Sequence, residues 1–160
     1  MTDQPKFDEL GTLARTLYGE ARSLGRAGME DVSSVVMNRH DLARQGLVTW
    51  WGRDVTQICL RSANGWAQFS CWNPTDLNRA KLFSVTETDL HFALALEIAR
   101  AALDGEIDDR TNSADHYCTP AVADRTSWAK GRQPVYRTDG HWFFRLYSEA
   151  GELIHVLEPE

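Results

Sequence analysis

Outside the stretch Leu47 to Asn73, the apolar residues of this chain keep one period as far as Gly105 and lose it afterwards. Up to that point they recur at the three- and four-residue spacing of a helix face; beyond it they come in short aromatic or β-branched runs between turn residues. Helices first and strands later restrict the chain to the α+β class, a group of N-terminal helices with a small antiparallel sheet at the C-terminal end.

Leu10, Leu13, Ala14, Leu17, Ala21 and Leu24 predict a helix from Asp8 to Ser23, stopped by Gly25. Met29, Val32, Val35 and Val36 predict a second from Met29 to Ala43, closed by Gly46, and the two are expected to pack as an antiparallel pair. Residues Leu47 to Asn73 keep no single period. They mix Trp50, Trp51, Trp66 and Trp72 with Gly52, Asn64, Gly65 and Ser70, a pattern of loops and short turns of the kind that carries function. After Pro74, Thr75 is placed to cap a short helix through Phe83. Thr86, with Asp89 three residues on, resembles a capping box opening a long helix to Leu103, which Gly105 ends. Strands are expected at Asp115 to Thr119, Val135 to Arg137, His141 to Tyr147 and Leu153 to Leu157. At 160 residues, with no repeat or Pro/Gly/Ser-rich linker, residues 1–160 are expected to form one domain.

A formal charge of -6 with 42% hydrophobic residues describes an acidic globular protein without a basic surface for a phosphate backbone, so nucleic acid is not an expected partner. No apolar run reaches the ~20 residues of a membrane span, and Met1 to Phe7 lacks the order of a secretory signal. The protein is therefore expected in the cytoplasm, without membrane insertion, and as a monomer. Cys59, Cys71 and Cys118 are an odd set and are expected as free, mostly buried thiols.

One carboxylate does not fit the helix pattern. On a wheel of 100° per residue Glu20 falls beside Leu13 and Leu17, at the edge of the apolar stripe, while Arg15 and Arg22 fall on the far side. Burial without a cation raises a carboxyl's proton affinity, which suits it to donate a proton near neutral pH. The bland alternative is a rim glutamate paired with an arginine. His116 and Cys118, with Cys71 and His141, are a possible metal set, but no paired Cys-x-x-Cys or His-Glu-x-x-His spacing supports one, and neither a metal nor a cofactor is expected. A nucleophilic thiol, Cys71 or Cys118 with His91, His116 or His141, has no activating neighbour in sequence.

The run Leu13 to Arg22, containing Tyr18-Gly19-Glu20-Ala21-Arg22, followed by Val35-Val36-Met37-Asn38-Arg39, resembles the SleB-type cell wall hydrolase family of spore-cortex-lytic enzymes and phage lysins. Gln68 to Asn73, Ala114 to Cys118 with Trp128-Ala129, and Gly140-His141-Trp142-Phe143-Phe144 resemble the family's later blocks, in family order. The resemblance implies a lysozyme-like domain, related to lytic transglycosylases, that acts on the glycan strands of peptidoglycan with Glu20 as its catalytic acid/base. Gln68 and Ser70 would bond N-acetyl or hydroxyl groups, and Tyr18, Trp72, His116, Tyr117 and Trp128 would complete the substrate site. With no signal order and no recognisable wall-binding repeat, delivery from the cytoplasm to the wall as a lysin is expected. Asn38 and Arg39 are assigned to helix-end hydrogen bonds. A second carboxylate for ordinary hydrolysis would come from Asp31, Asp115 or Asp124. A muramidase or chitinase using water, and a noncatalytic glycan-binding protein, are the alternatives.

Overall fold

A computed structural model describes residues 6–156. Its elements are α1 (Glu9–Ala21), α2 (Gly25–Arg44), α3 (Val55–Leu60), the two-residue strands β1 (Ser62–Ala63) and β2 (Trp66–Ala67), α4 (Arg79–Ser84) and α5 (Leu90–Leu103). β3 (His116–Cys118), β4 (Tyr136–Arg137) and β5 (Trp142–Phe144) follow. The order is that of an α+β domain, helices first.

Asp8 caps α1, its Oδ1 accepting from the Gly11 N–H at 2.7 Å. Leu13, Ala14, Leu17, Tyr18 and Ala21 are buried along one face, and α1 packs on both α5 and α2. The helix ends at Ala21 and passes through a single 3-10 turn, Arg22–Leu24, to Gly25, whose φ of 70° turns the chain. α2 therefore starts at Gly25, not Met29. The added turn is Arg26-Ala27-Gly28, which has no apolar periodicity to announce it.

Two helix caps differ from expectation. α5 is capped by Asp89, whose Oδ1 accepts from the His91 and Phe92 N–H groups while Oδ2 accepts from the Tyr18 hydroxyl at 2.7 Å. The Thr86 hydroxyl instead shares a hydrogen bond with the Thr88 hydroxyl, and its carbonyl accepts from the Asp89 N–H. α4 begins at Arg79, not Thr75, because residues 74–78 are turns in which Asp76 accepts from the Asn78 N–H. The expected loop between Leu47 and Asn73 contains α3, capped by Asp54 and burying Val55, Ile58 and Cys59. With six residues it is too short to give a clear helical period.

The late sheet runs β3-β5-β4, antiparallel throughout, with His116 opposite Phe144, Tyr117 opposite Phe143 and Tyr136 opposite Phe143. The strand expected at His141 to Tyr147 shortens to β5. That expected at Leu153 to Leu157 reduces to one bridge between Leu153 and Tyr147; Leu153 to Val156 are exposed, and Leu157 lies outside the described residues.

Asp115, just before β3, joins helices to sheet. Its N–H donates to Phe144 O, its carbonyl accepts from Arg39 Nε of α2 at 2.7 Å, and its buried carboxylate accepts from the Leu146 and Tyr147 N–H groups and bonds His116 Nδ1 at 2.8 Å. Asp115→Ala strands several buried donors at once, at roughly 1–3 kcal/mol each. Urea unfolding is expected to show a loss of about 3 kcal/mol or more; a loss below about 1 kcal/mol would remove Asp115 from this structural role.

Candidate active site

Glu20 occupies the last turn of α1, and the 3-10 turn Ser70–Trp72 lies directly against that turn. Gly19 makes the approach possible. A Cβ there would meet Cys71 Cβ at 2.6 Å and Cys71 Sγ at 2.8 Å, with Leu82 Cδ2 at 3.2 Å on its other flank. The close contact brings the Cys71 N–H to Glu20 Oε1 at 3.4 Å and shields the carboxyl from water.

The carboxyl has no cation bonded to it. Arg15 donates to Leu82 O and lies over the rings of Phe7 and Phe92, while Arg22 donates to Asn78 Oδ1 and lies over Tyr18. Both arginines thus lean on aromatic rings, and the ion pairs among the described residues do not include Glu20. Burial pushes its pKa from 4.5 to about 7, helped by the charge of Asp76, against the opposing hydrogen bonds of the Cys71 N–H, the Cys71 thiol and the Tyr117 hydroxyl.

Glu20 opens onto a cleft of about 300 Å³ whose walls also include Gln68, Ser70, His116, Tyr117 and Trp128. Six of the eight residues expected from sequence thus meet in one place. Gln68 and Ser70 are exposed; Tyr117 and Trp128 are half-buried, with their bodies packed in the core and Trp128 against His116 and Phe144. Tyr18 and Trp72 do not reach the cleft. Tyr18 is fully buried, edge-on to Phe92 and bonded to Asp89; Trp72 is buried against Phe83, its Nε1 donating to Thr16 Oγ1 at 3.0 Å. Each lies on the side of its element that packs inward, where its polar atom has found a protein partner.

Arg39 and His141 line the cleft as well. The helix-end role expected for Arg39 misses its position: the guanidinium is buried, with Trp51 at 4.8 Å and Phe69 at 5.3 Å from their ring centroids, and Nη1 lacks a partner. Burial lowers its pKa to about 10, against the pull of Asp115, and it remains a cation. Asn38 bonds Ala114 O and Asp109, between α2 and the loop before β3. His141 is buried beside Tyr117, ring centroids 4.6 Å apart, with Nδ1 unpartnered. Its place in the Gly140-His141-Trp142-Phe143-Phe144 block was the available signal.

Among the described residues Glu20 is the sole carboxylate in the cleft wall. Of the acids considered as a second one, Asp115 is committed to backbone donors, Asp31 bonds Arg110 at 2.9 Å, and Asp124 is exposed away from the wall. Among the described residues no three His, Cys, Asp or Glu side chains gather as metal ligands, and all three cysteines are free thiols.

Two outcomes follow from this packing. Gly19→Ala is expected to cost about 1–3 kcal/mol in chemical denaturation, because Cβ drives the Ser70–Trp72 turn off α1; a neutral effect would show that the turn yields freely. For Glu20 the folded pKa lies above the unfolded one, so its contribution to stability is full below about pH 4.5 and is lost as pH rises through about 7. Glu20→Gln should accordingly be more stable than the parent at pH 8, by about 1–3 kcal/mol, and show little difference at pH 4; equal stability at both pH values would refute the raised pKa.

A family model described as Cell Wall Hydrolase matches residues 24–144, more than half of the chain, beginning just after Glu20. No curated protein and no solved structure matches the chain. No described helix is long and apolar enough to cross a membrane. The helix-then-sheet architecture is consistent with a lysozyme-like cell wall hydrolase domain, and the extent of the family match settles the assignment: the chain belongs to the cell wall hydrolase family, whose members degrade peptidoglycan.

Proposed function

We propose that the protein is a lytic transglycosylase, cleaving the bond between N-acetylmuramic acid and N-acetylglucosamine with Glu20 as its acid and base. The supporting observation is a carboxyl alone of its kind among the described residues of the cleft wall, shielded, with no cation bonded to it, and raised to about 7. At neutral pH a large share of Glu20 carries its proton and can give it to the glycosidic oxygen as the C1–O bond breaks. The carboxylate left behind takes the proton of the muramic acid 6-hydroxyl as O6 bonds to C1, closing the 1,6-anhydro ring and restoring the acid. One group serves both steps. Ordinary hydrolysis uses two carboxyls about 5 to 9.5 Å apart, and the cleft offers no second.

The remaining groups suit a sugar chain. Gln68 and Ser70 bring exposed hydrogen-bonding groups, and Tyr117 and Trp128 bring aromatic surface for the C–H faces of the rings.

Digestion of isolated peptidoglycan, followed by turbidity and mass spectrometry, tests the reading. The parent protein should release fragments with 1,6-anhydro ends, and Glu20→Gln should be slower by about 10²-fold or more while remaining folded. The rate should fall as pH rises through about 7, where the acid loses its proton. Reducing ends would instead make the protein a muramidase using water. Full activity of Glu20→Gln would move the chemistry to another residue, and no release by the parent would favour a glycan-binding role.

A further inference from the structure

His116 has one ring nitrogen committed and the other free. Nδ1 bonds Asp115 Oδ1 at 2.8 Å, and that carboxylate also accepts from the Leu146 and Tyr147 N–H groups. A carboxylate only accepts, so the proton of this bond sits on Nδ1 and Nε2 is a bare acceptor. The Asp115 bond and the packing of the ring hold it in this orientation. It is held between Trp128, centroids 4.7 Å apart, and Trp51 at 5.9 Å, on the buried side of a cleft it shares with Glu20. Burial holds the imidazole pKa below its ordinary value despite Asp115, and the charges of Arg39 and Arg132 act in the same direction as burial, so the ring is neutral at physiological pH. Nε2 makes no hydrogen bond among the described residues, and it is not sealed off as His141 Nδ1 is.

An acceptor placed there selects a donor on the sugar. Within a peptidoglycan strand the muramic acid ring itself keeps two: the 6-hydroxyl and the acetamido N–H, because the C3 oxygen carries the lactyl ether and the C4 oxygen the chain. The 6-hydroxyl proton goes to Glu20 in the reaction proposed above. We propose that His116 Nε2 accepts the acetamido N–H of the muramic acid seated over Glu20, with Asp115 as the positioning residue that fixes the ring. The assignment rests on the reading of Glu20 as the acid/base, and it makes His116 the group that distinguishes N-acetylated from de-N-acetylated strands.

Asparagine and glutamine separate the two nitrogens. His116→Asn keeps a donor near Nδ1 for Asp115 but leaves no acceptor at the Nε2 position, whereas His116→Gln reaches toward that position with an amide oxygen. Initial rates are measured on one peptidoglycan preparation before and after chemical de-N-acetylation, with thermal unfolding as the check on folding and Glu20→Gln run alongside. The parent should prefer the N-acetylated strands by about tenfold, the scale of one hydrogen bond, His116→Asn should show less than about a threefold preference, and His116→Gln should recover much of it. A tenfold preference kept by folded His116→Asn, or no preference in the parent, overturns the proposal while leaving Glu20 in place. Activity retained by Glu20→Gln, or none in the parent, overturns the functional reading and this assignment with it. If both His116 variants unfold, Asp115→Asn, which leaves an acceptor for the backbone donors, takes their place and should lose the same preference; its retention there would equally overturn the proposal.

Discussion

A buried guanidinium holds the two halves of this domain in register. Arg39 reaches from α2 to the carbonyl of Asp115, and Asp115 in turn gathers the backbone after β5 and the ring of His116. The charge of Arg39 is met without a direct ion pair: the carboxylate of Asp115 acts on it from nearby, and the rings of Trp51 and Phe69 cover it. Burying a cation in this way is costly, and the junction tolerates it because every polar group of Asp115 is satisfied. Together with the bond from Asn38 to Ala114 O, the junction sets how the helices stand to the strand bearing His116 and Tyr117, and so the shape of the cleft.

The same logic of local cost sets the properties of Glu20. Its helix supplies neither an arginine nor a lysine partner, since Arg15 and Arg22 lean away onto aromatic rings. Gly19 then lets the Cys71 turn close over the carboxyl. The desolvation that makes the group a usable acid near neutrality is the desolvation that weakens the fold when the proton leaves. Stability and reactivity here are one quantity, read at two pH values.

Much of this was legible in the sequence. The apolar stripe of α1 placed Glu20 at its edge, and the change of period after Gly105 placed the sheet, because both are statements about repeating faces. Periodicity is silent where a face does not repeat. It missed the six-residue α3, the first turn of α2 and the shift from Thr86 to Asp89 as cap. It also does not say which way a residue next to an important one points: Tyr18 and Trp72 neighbour cleft residues in sequence and yet face inward, bonded to Asp89 and Thr16. Arg39 fails in the opposite direction. A charged residue near the end of a helix reads as a surface group, and only the assembled junction with Trp51, Phe69 and Asp115 makes it part of the cleft floor.

The assembled cleft also alters what the net charge implies. At -6 the chain as a whole repels a polymer that bears peptide carboxylates. Inside the cleft, however, the charges are few: Arg39 stays cationic, the burial of His116 and His141 favours their neutral forms, and Glu20 is largely neutral below about pH 7. The cleft therefore carries a positive floor beneath neutral walls for as long as Glu20 keeps its proton. If Glu20 is the acid proposed above, loss of that proton removes it and at the same time sets a carboxylate opposite a polymer with anionic peptide stems, so binding and chemistry weaken together. On that reading an acidic chain holds a polymer with anionic peptide stems through the local charge of its cleft and not through its net charge.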